Sequence, residues 1–217
     1  TLTAFSKVTI GGEIRSGGQK LTSFNGIIYP TVYDKEENVA TLTNDPSSPL
    51  RTFSLQKNIL YKGKASVKNG EFSFTFIVPK DIAYEIGRGR ISYYAHNGDT
   101  DANGYFDSLM IGGSSSSAIT DVEGPAVKLY MNDEKFVFGG TTDENPKIYA
   151  LLADTNGINT VGNGIGHDIT AQIDGRAEQI YVLNDYYEAD LDSYQSGKIV
   201  FPLSGLADGR HTLKLKV

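Results

Sequence analysis

Apolar and polar residues alternate in short runs along this chain, and the clearest run spans residues 65–78. Phe72, Phe74, Phe76 and Val78 fall on one side of an extended chain, and Glu71, Ser73 and Thr75 on the other. A period of two marks a strand with one buried face. Asn69-Gly70 precedes it, and a type I′ turn needs positive φ at both central positions. The stretch therefore predicts a β-hairpin, with Val67 opposite Phe72, Ala65 opposite Phe74, and Lys68 paired with Glu71 across the turn.

The same grammar recurs. Val8, Ile10 and Ile14 surround Gly11-Gly12, which predicts a broken or bulged strand pair. Ile27–Tyr33 reads as a strand, and Pro30 places it at an edge or a bulge, because proline donates no ladder hydrogen bond. Residues 34–50 read as a surface loop. Thr52–Leu55, Ile59–Tyr61, Arg90–Ala95 and Tyr105–Ile111 read as strands, with one helical turn at residues 81–86. Gly112–Ser117 is a Gly/Ser connector and the expected boundary. Beyond it, Val127, Leu129 and Met131 alternate inward. Lys135–Phe138, Ile148–Leu152, Asp168–Ile173, Gln179–Leu183, Lys198–Leu203 and Arg210–Val217 read as further strands. His211 falls on the apolar face of the last, as a satisfied core or rim residue. No stretch beyond about a dozen residues has a helical period. The expected class is all-β, as two consecutive immunoglobulin-like β-sandwich domains at 1–117 and 118–217.

Composition narrows the function classes. The 217 residues suffice for two cores. A net charge of −6 argues against a nucleic-acid partner, whose phosphates need a basic face. No run of apolar residues is long enough for a spanning helix, so direct membrane insertion is not expected. Cysteine is absent, which removes every thiol mechanism and any disulfide scaffold, and fits a bacterial envelope protein or a reduced compartment. The chain begins at Thr1 without a signal peptide and reads as a piece of a longer precursor.

The sharpest chemical motif is 99–107. Asp99, Asp101 and Asn103 would supply side-chain oxygens, Tyr105 its carbonyl, and Asp107 an oxygen or a bound water. Alternating oxygen ligands followed by glycine match the first half of a calcium loop. The bidentate glutamate is missing, since Met110 stands at the twelfth position. The plain alternative is an exposed polar hairpin loop. Asp185, Glu188, Asp190 and Asp192, mixed with Tyr186, Tyr187 and Tyr194, read as a solvated face, or else as a holder for a second cation or a sugar. Gly162–Asp168 lacks the lysine of a phosphate loop and reads as a turn. His96, His167 and His211 have no metal-ligand spacing, and no catalytic constellation is visible.

Several stretches together resemble one family. They are Phe24-Asn25-Gly26, Val32-Tyr33-Asp34-Lys35, Thr41-Leu42-Thr43-Asn44-Asp45, Val78-Pro79-Lys80-Asp81-Ile82, Gly157-Ile158-Asn159, Gly162–Asp168, and residues 182–191. As an ordered set they resemble the region after the peptidase domain in the sortases of the type IX secretion system, cysteine peptidases of the gingipain type. The resemblance implies a Bacteroidetes cell-surface enzyme associated with the outer membrane. Such an enzyme removes C-terminal sorting domains from cargo and attaches the cargo to surface lipopolysaccharide. It also implies that the catalytic Cys and His lie upstream, so this segment is expected to be catalytically silent. Its expected partners are the parent peptidase domain, secretion cargo or other secretion components. It further implies that Val217 trims the final strand. A reading from another class is a calcium-dependent carbohydrate-binding or adhesin module, against which the lack of tryptophan counts.

Overall fold

The hairpin at Asn69-Gly70 forms in the computed structural model, which describes residues 1–45, 47–80, 82–114, 123–160 and 168–217. Asn69 and Gly70 have φ of 51° and 75°, as a type I′ turn requires. Val67 faces Phe72, but the ladder ends there, and Ala65 pairs with Ile28 instead of Phe74. Glu71 takes Lys20 as its ion-pair partner rather than Lys68.

The hairpin lies within one eight-stranded sheet. Its order is Leu2–Ala4, Asp101–Ser114, Gly87–His96, Gly26–Tyr33, Ala65–Lys68, Glu71–Ile77, Lys7–Glu13, with Ile59–Lys62 also pairing to Gly26–Tyr33. The first and last members of that order are consecutive in sequence. At Phe5, with φ of 60°, the chain turns from one edge of the sheet to the other. Phe5 N–H donates to the Val78 carbonyl at 2.9 Å. One bent N-terminal segment thus ties both edges together, and the sheet wraps a core built on Phe24, Ile28, Val32, Phe76 and Ile91.

Two glycine and proline expectations are corrected by this wrapping. Lys7–Glu13 runs unbroken through Gly11-Gly12, in regular register with Glu71–Ile77. Gly12 is needed for space: a Cβ there would sit 2.4 Å from Cζ of the Phe72 ring. Pro30 lies in an interior strand, opposite Tyr93. Its carbonyl accepts from Gly63 N–H at 3.2 Å, so its missing N–H also points that way. There the assigned strand is interrupted, between Ile59–Lys62 and Ala65–Lys68, and with Gly63 opposite Pro30 in the same register the one bond forgone is the return bond to the Gly63 carbonyl.

Other local readings change as well. The region 34–50 contains the strand Glu37–Ala40, which forms a separate ribbon with Thr52–Leu55. Residues 82–86 bend without forming a helical turn, and Asp81 lies outside the described residues. Gly112–Ser114 of the expected connector continue a strand, and residues 115–117 lie outside the described residues.

A second core follows. Ala126–Met131, Lys147–Ala153, Ser196–Pro202 and Tyr187–Ala189 form one sheet, and Ile180–Val182, Thr170–Ile173 and Leu213–Lys216 another. Ile148, Ala150, Leu152, Ile169, Ala171 and Ile199 from both sheets share one buried cluster. Val127 is exposed rather than inward, while Leu129 and Met131 do pack on this cluster. Lys135–Phe138 is not a strand. Asp133 draws it into turns, its carboxylate accepting from Lys135 N–H and its carbonyl from Phe136 N–H. Phe138 is left 99% exposed at the tip. The class is all-β, with no α-helix among the described residues.

Candidate functional site

The two cores meet along a polar seam, and the loop between Tyr187–Ala189 and Ser196–Pro202 builds half of it. That loop is tightened from within. Asp190 N–H donates to the Ser196 carbonyl at 2.9 Å, and Ser196 Oγ donates to Asp190 Oδ2 at 2.7 Å. The closure projects Asp192 and Tyr194 toward the first core. Asp192 has φ of 60°, a left-handed conformation that aspartate tolerates better than most residues.

The other half comes from residues 64–66. Ala65 and Val67 point into the first core, so the period of two turns Ser66 outward. Ser66 N–H and Oγ donate to the two carboxylate oxygens of Asp192 at 2.6 and 2.7 Å. Asp192 N–H returns a bond to the Lys64 carbonyl at 3.0 Å. Lys64 Nζ lies 2.5 Å from Glu188 Oε1, and Lys198 Nζ stands 3.9 Å from Oε2. Tyr194 packs against the first core, with Lys7 Nζ 5.5 Å from the centre of its ring.

These contacts set the electrostatics. The Lys64 ammonium, bonded to Glu188, holds that carboxyl below its usual range. Burial pushes the Asp192 carboxyl up, but the two Ser66 donors and the charge of Lys68 outweigh it and leave it lowered. Burial, then the charge of Asp192, pushes the Tyr61 phenol up to about 12. Burial also raises Tyr187, whose hydroxyl has no hydrogen-bond partner among the described residues. Its ring rests on Gly197, where a Cβ would lie 2.6 Å from Cζ. A cavity of about 280 Å³ opens beside these phenols, lined by Phe5, Tyr61 and Pro79 from one core and Asn156, Ile158 and Tyr187 from the other.

Of the acidic run read as a solvated face, Glu188 and Asp192 are therefore partners of the first core, and Tyr187 is buried. No sequence signal links Ser66 to Asp192, which are 126 positions apart.

The residues of the calcium motif lie along a strand. Asp101, Asn103, Tyr105 and Asp107 belong to the extended segment Asp101–Ser114, and Asp99 sits in the turn before it. That turn is closed by Asn97, whose Oδ1 accepts from Asp99 N–H at 3.0 Å and Thr100 N–H at 2.8 Å. Among the described residues, no three His, Asp or Glu cluster as a metal ion would need.

His211 lies on the surface rather than on the inner face. Its ring nitrogens lie 2.8 Å from Asp174 Oδ2 and 2.7 Å from the Ala207 carbonyl. The Ala207 carbonyl, followed by Asp174, raises its pKa. His96 stacks on Tyr29 with centroids 5.7 Å apart. Neither histidine is hydrogen-bonded to a serine or threonine hydroxyl among the described residues. Residues 162–167, including His167, lie outside the described residues. No helix among the described residues is long and apolar enough to cross a membrane.

No family model and no curated protein matches this chain. Among solved structures it is similar to dimeric latent PorU from Porphyromonas gingivalis, at 34% identity and a TM-score of 0.55. The similarity covers 99% of this chain and 20% of that one, so the chain spans a fifth of the length of its structural relative.

Proposed function

We propose that this chain, a PorU-related segment, is a non-catalytic supporting body of a cell-surface sortase of the type IX secretion system. The observation that carries this reading is the 34% identity along nearly the whole segment, in a chain that contains no cysteine. A peptidase of the gingipain type needs a thiolate, so the nucleophile must come from another part of the parent protein.

The reading extends to architecture and place. Residues 1–117 and 118–217 are two β-domains, supported by the two separate core clusters, and the first wraps a single sheet rather than stacking two. The second, with four strands against three, has the strand count of an immunoglobulin-like sandwich. The parent acts outside the cytoplasm, at the bacterial surface. The segment meets the peptidase domain, the cargo or other secretion components. The seam suits a supporting role, because it holds two cores against each other through charged and neutral hydrogen bonds.

The test uses a sorting-domain peptide incubated with this chain alone and with the full-length parent protein. Cleavage by the parent and none by the chain is the expected result. Hydrolysis by the chain alone above the buffer control overturns the reading.

A further inference from the structure

The sheet around the first core is tied shut at one end and open at the other. Leu2–Ala4 pairs only with the far end of Asp101–Ser114, from Ile111 onward. Residues 101–110 therefore form a free edge. Across from it runs the outer edge of Lys7–Glu13, and between the two lies a groove of about 520 Å³. Ile28, Ile91 and Ala95 of the core reach its floor, and the glycines 11, 12 and 104 leave its rims low.

Three features of the groove point to an occupant. Phe106 belongs to the inward-facing set of its strand and sits opposite Ile91, yet it is 47% exposed. Phe74, on the same core, is 5% exposed. An inward aromatic is thus left without a cover. Next, Asn97 N–H donates to the Thr100 carbonyl, and antiparallel pairs alternate between bonded and non-bonded. Counting from that bond, residues 102 and 104 bond to Gly87–His96. Residues 101, 103 and 105 then direct their N–H and C=O groups outward, as an unpaired edge open to another strand. Lastly, Asp99, Asp101 and Asp107 form no ion pair among the described residues, so the edge carries uncompensated negative charge.

We propose that this groove binds an extended, basic peptide segment of a partner protein, which adds as a strand to the free edge at residues 101–105. Its alternate apolar side chains cover Phe106 and Phe72, and its lysines or arginines face Asp101 and Asp107. Strand addition takes affinity from main-chain bonds and specificity from alternate side chains. Opposite charges across the new ladder favour a basic segment over an acidic one. This inference goes beyond the supporting role and does not depend on it.

The probe is a library of random dodecapeptides, selected on the 217-residue chain. The expected result is enrichment of peptides with β-branched or aromatic residues at alternate positions and Lys or Arg between them. Binding of these should weaken about tenfold or more in Asn103→Pro, which removes one outward N–H, and in the surface pair Asp101→Lys/Asp107→Lys. No enrichment, enrichment without that pattern, or equal binding by both variants overturns the proposal. Self-association in sedimentation that Asn103→Pro abolishes would make a second copy the occupant and overturn it too. So would saturable uptake of laurate with no peptide enriched.

Discussion

Asp192 of the second core accepts both the backbone N–H and the hydroxyl of Ser66 in the first, at 2.6 and 2.7 Å. A carboxylate with two donors from one residue is fixed in direction as well as distance. The same loop sends its own N–H back to Lys64. The pairing therefore sets how the two cores face each other.

Replacing either partner should loosen the seam. A hydrogen bond to a charged group contributes about 1.5–3 kcal/mol when well shielded. Asp192 is exposed, so screening lowers the expectation for Asp192→Ala to about 1 kcal/mol. A double-mutant cycle with Ser66→Ala should give a coupling of at least about 0.5 kcal/mol. Calorimetry should resolve two melting transitions in the double variant where the parent chain shows one. Additive effects and an unchanged profile would mean that other contacts hold the seam.

Acid should do the same without a mutation. The carboxyls of Glu188 and Asp192 are both lowered in the folded chain. A lowered carboxyl contributes stability that is present above its unfolded value, about 4, and is lost as pH falls through its folded value. The melting-temperature gap between the parent chain and Asp192→Asn should hold constant from about pH 6 to 8 and close below about pH 4. A gap that persists in strong acid would mean that the Asp192 charge is not what acts.

His211 and Asp174 join the Asp174-Gly175 turn to the last loop, and their pH signs oppose each other. The Ala207 carbonyl and Asp174 raise His211, so its contribution is present below about pH 6.5 and lost as pH rises through the folded value. Asp174 is lowered by the Thr212 N–H and by His211, so its contribution is lost as pH falls through its folded value. The destabilisation by His211→Ala should be greatest between about pH 4 and 6.5, as measured by thermal melts across that range. A flat pH profile would show that the ring acts only as a spacer.

Pro30→Ala should change stability by no more than about 1 kcal/mol, the usual entropic effect of proline in the unfolded chain. The restored N–H would face the Gly63 carbonyl, whose own N–H already bonds to residue 30, and a regained bond of about 1 kcal/mol would offset the lost rigidity. A larger gain in urea denaturation would mean that the regained bond outweighs the entropic loss.

Gly26→Ala should cost more, about 2 kcal/mol or above, since overpacking forces the backbone to shift. A Cβ at residue 26 would lie 2.2 Å from the His96 carbonyl and 2.9 Å from Asn97 Cα. Both are backbone atoms and cannot rotate away. A melting temperature within error of the parent chain would contradict this packing.

Some of this is legible in the amino-acid order alone. Asn69-Gly70 announced its turn because positive φ at both positions restricts the residues allowed there. Phe74, Phe76 and Val78 announced a buried face because a strand has a period of two. Pro30 misled, because the rule that sends proline to an edge or a bulge is a preference, and here an interior strand forgoes a single bond opposite Gly63. Gly11-Gly12 misled in the same way: local flexibility suggested a break, while the space under Phe72 was the actual demand. Lys135–Phe138 alternates like a strand but pairs with no strand among the described residues, and Asp133 captures its backbone first.

The amino-acid order by itself determined the all-β class, the main turns, the apolar faces and the lack of a thiol nucleophile. Each of these follows from φ preferences, side-chain period or residue chemistry, and all are local. Only the tertiary structure decided that a bent N-terminal segment ties one sheet at both edges, that residues 101–110 are left as an open rim, and that Asp192 reaches Ser66. Those depend on which distant segments meet. The period of two states which side of a strand is apolar, but not which strand lies beside it.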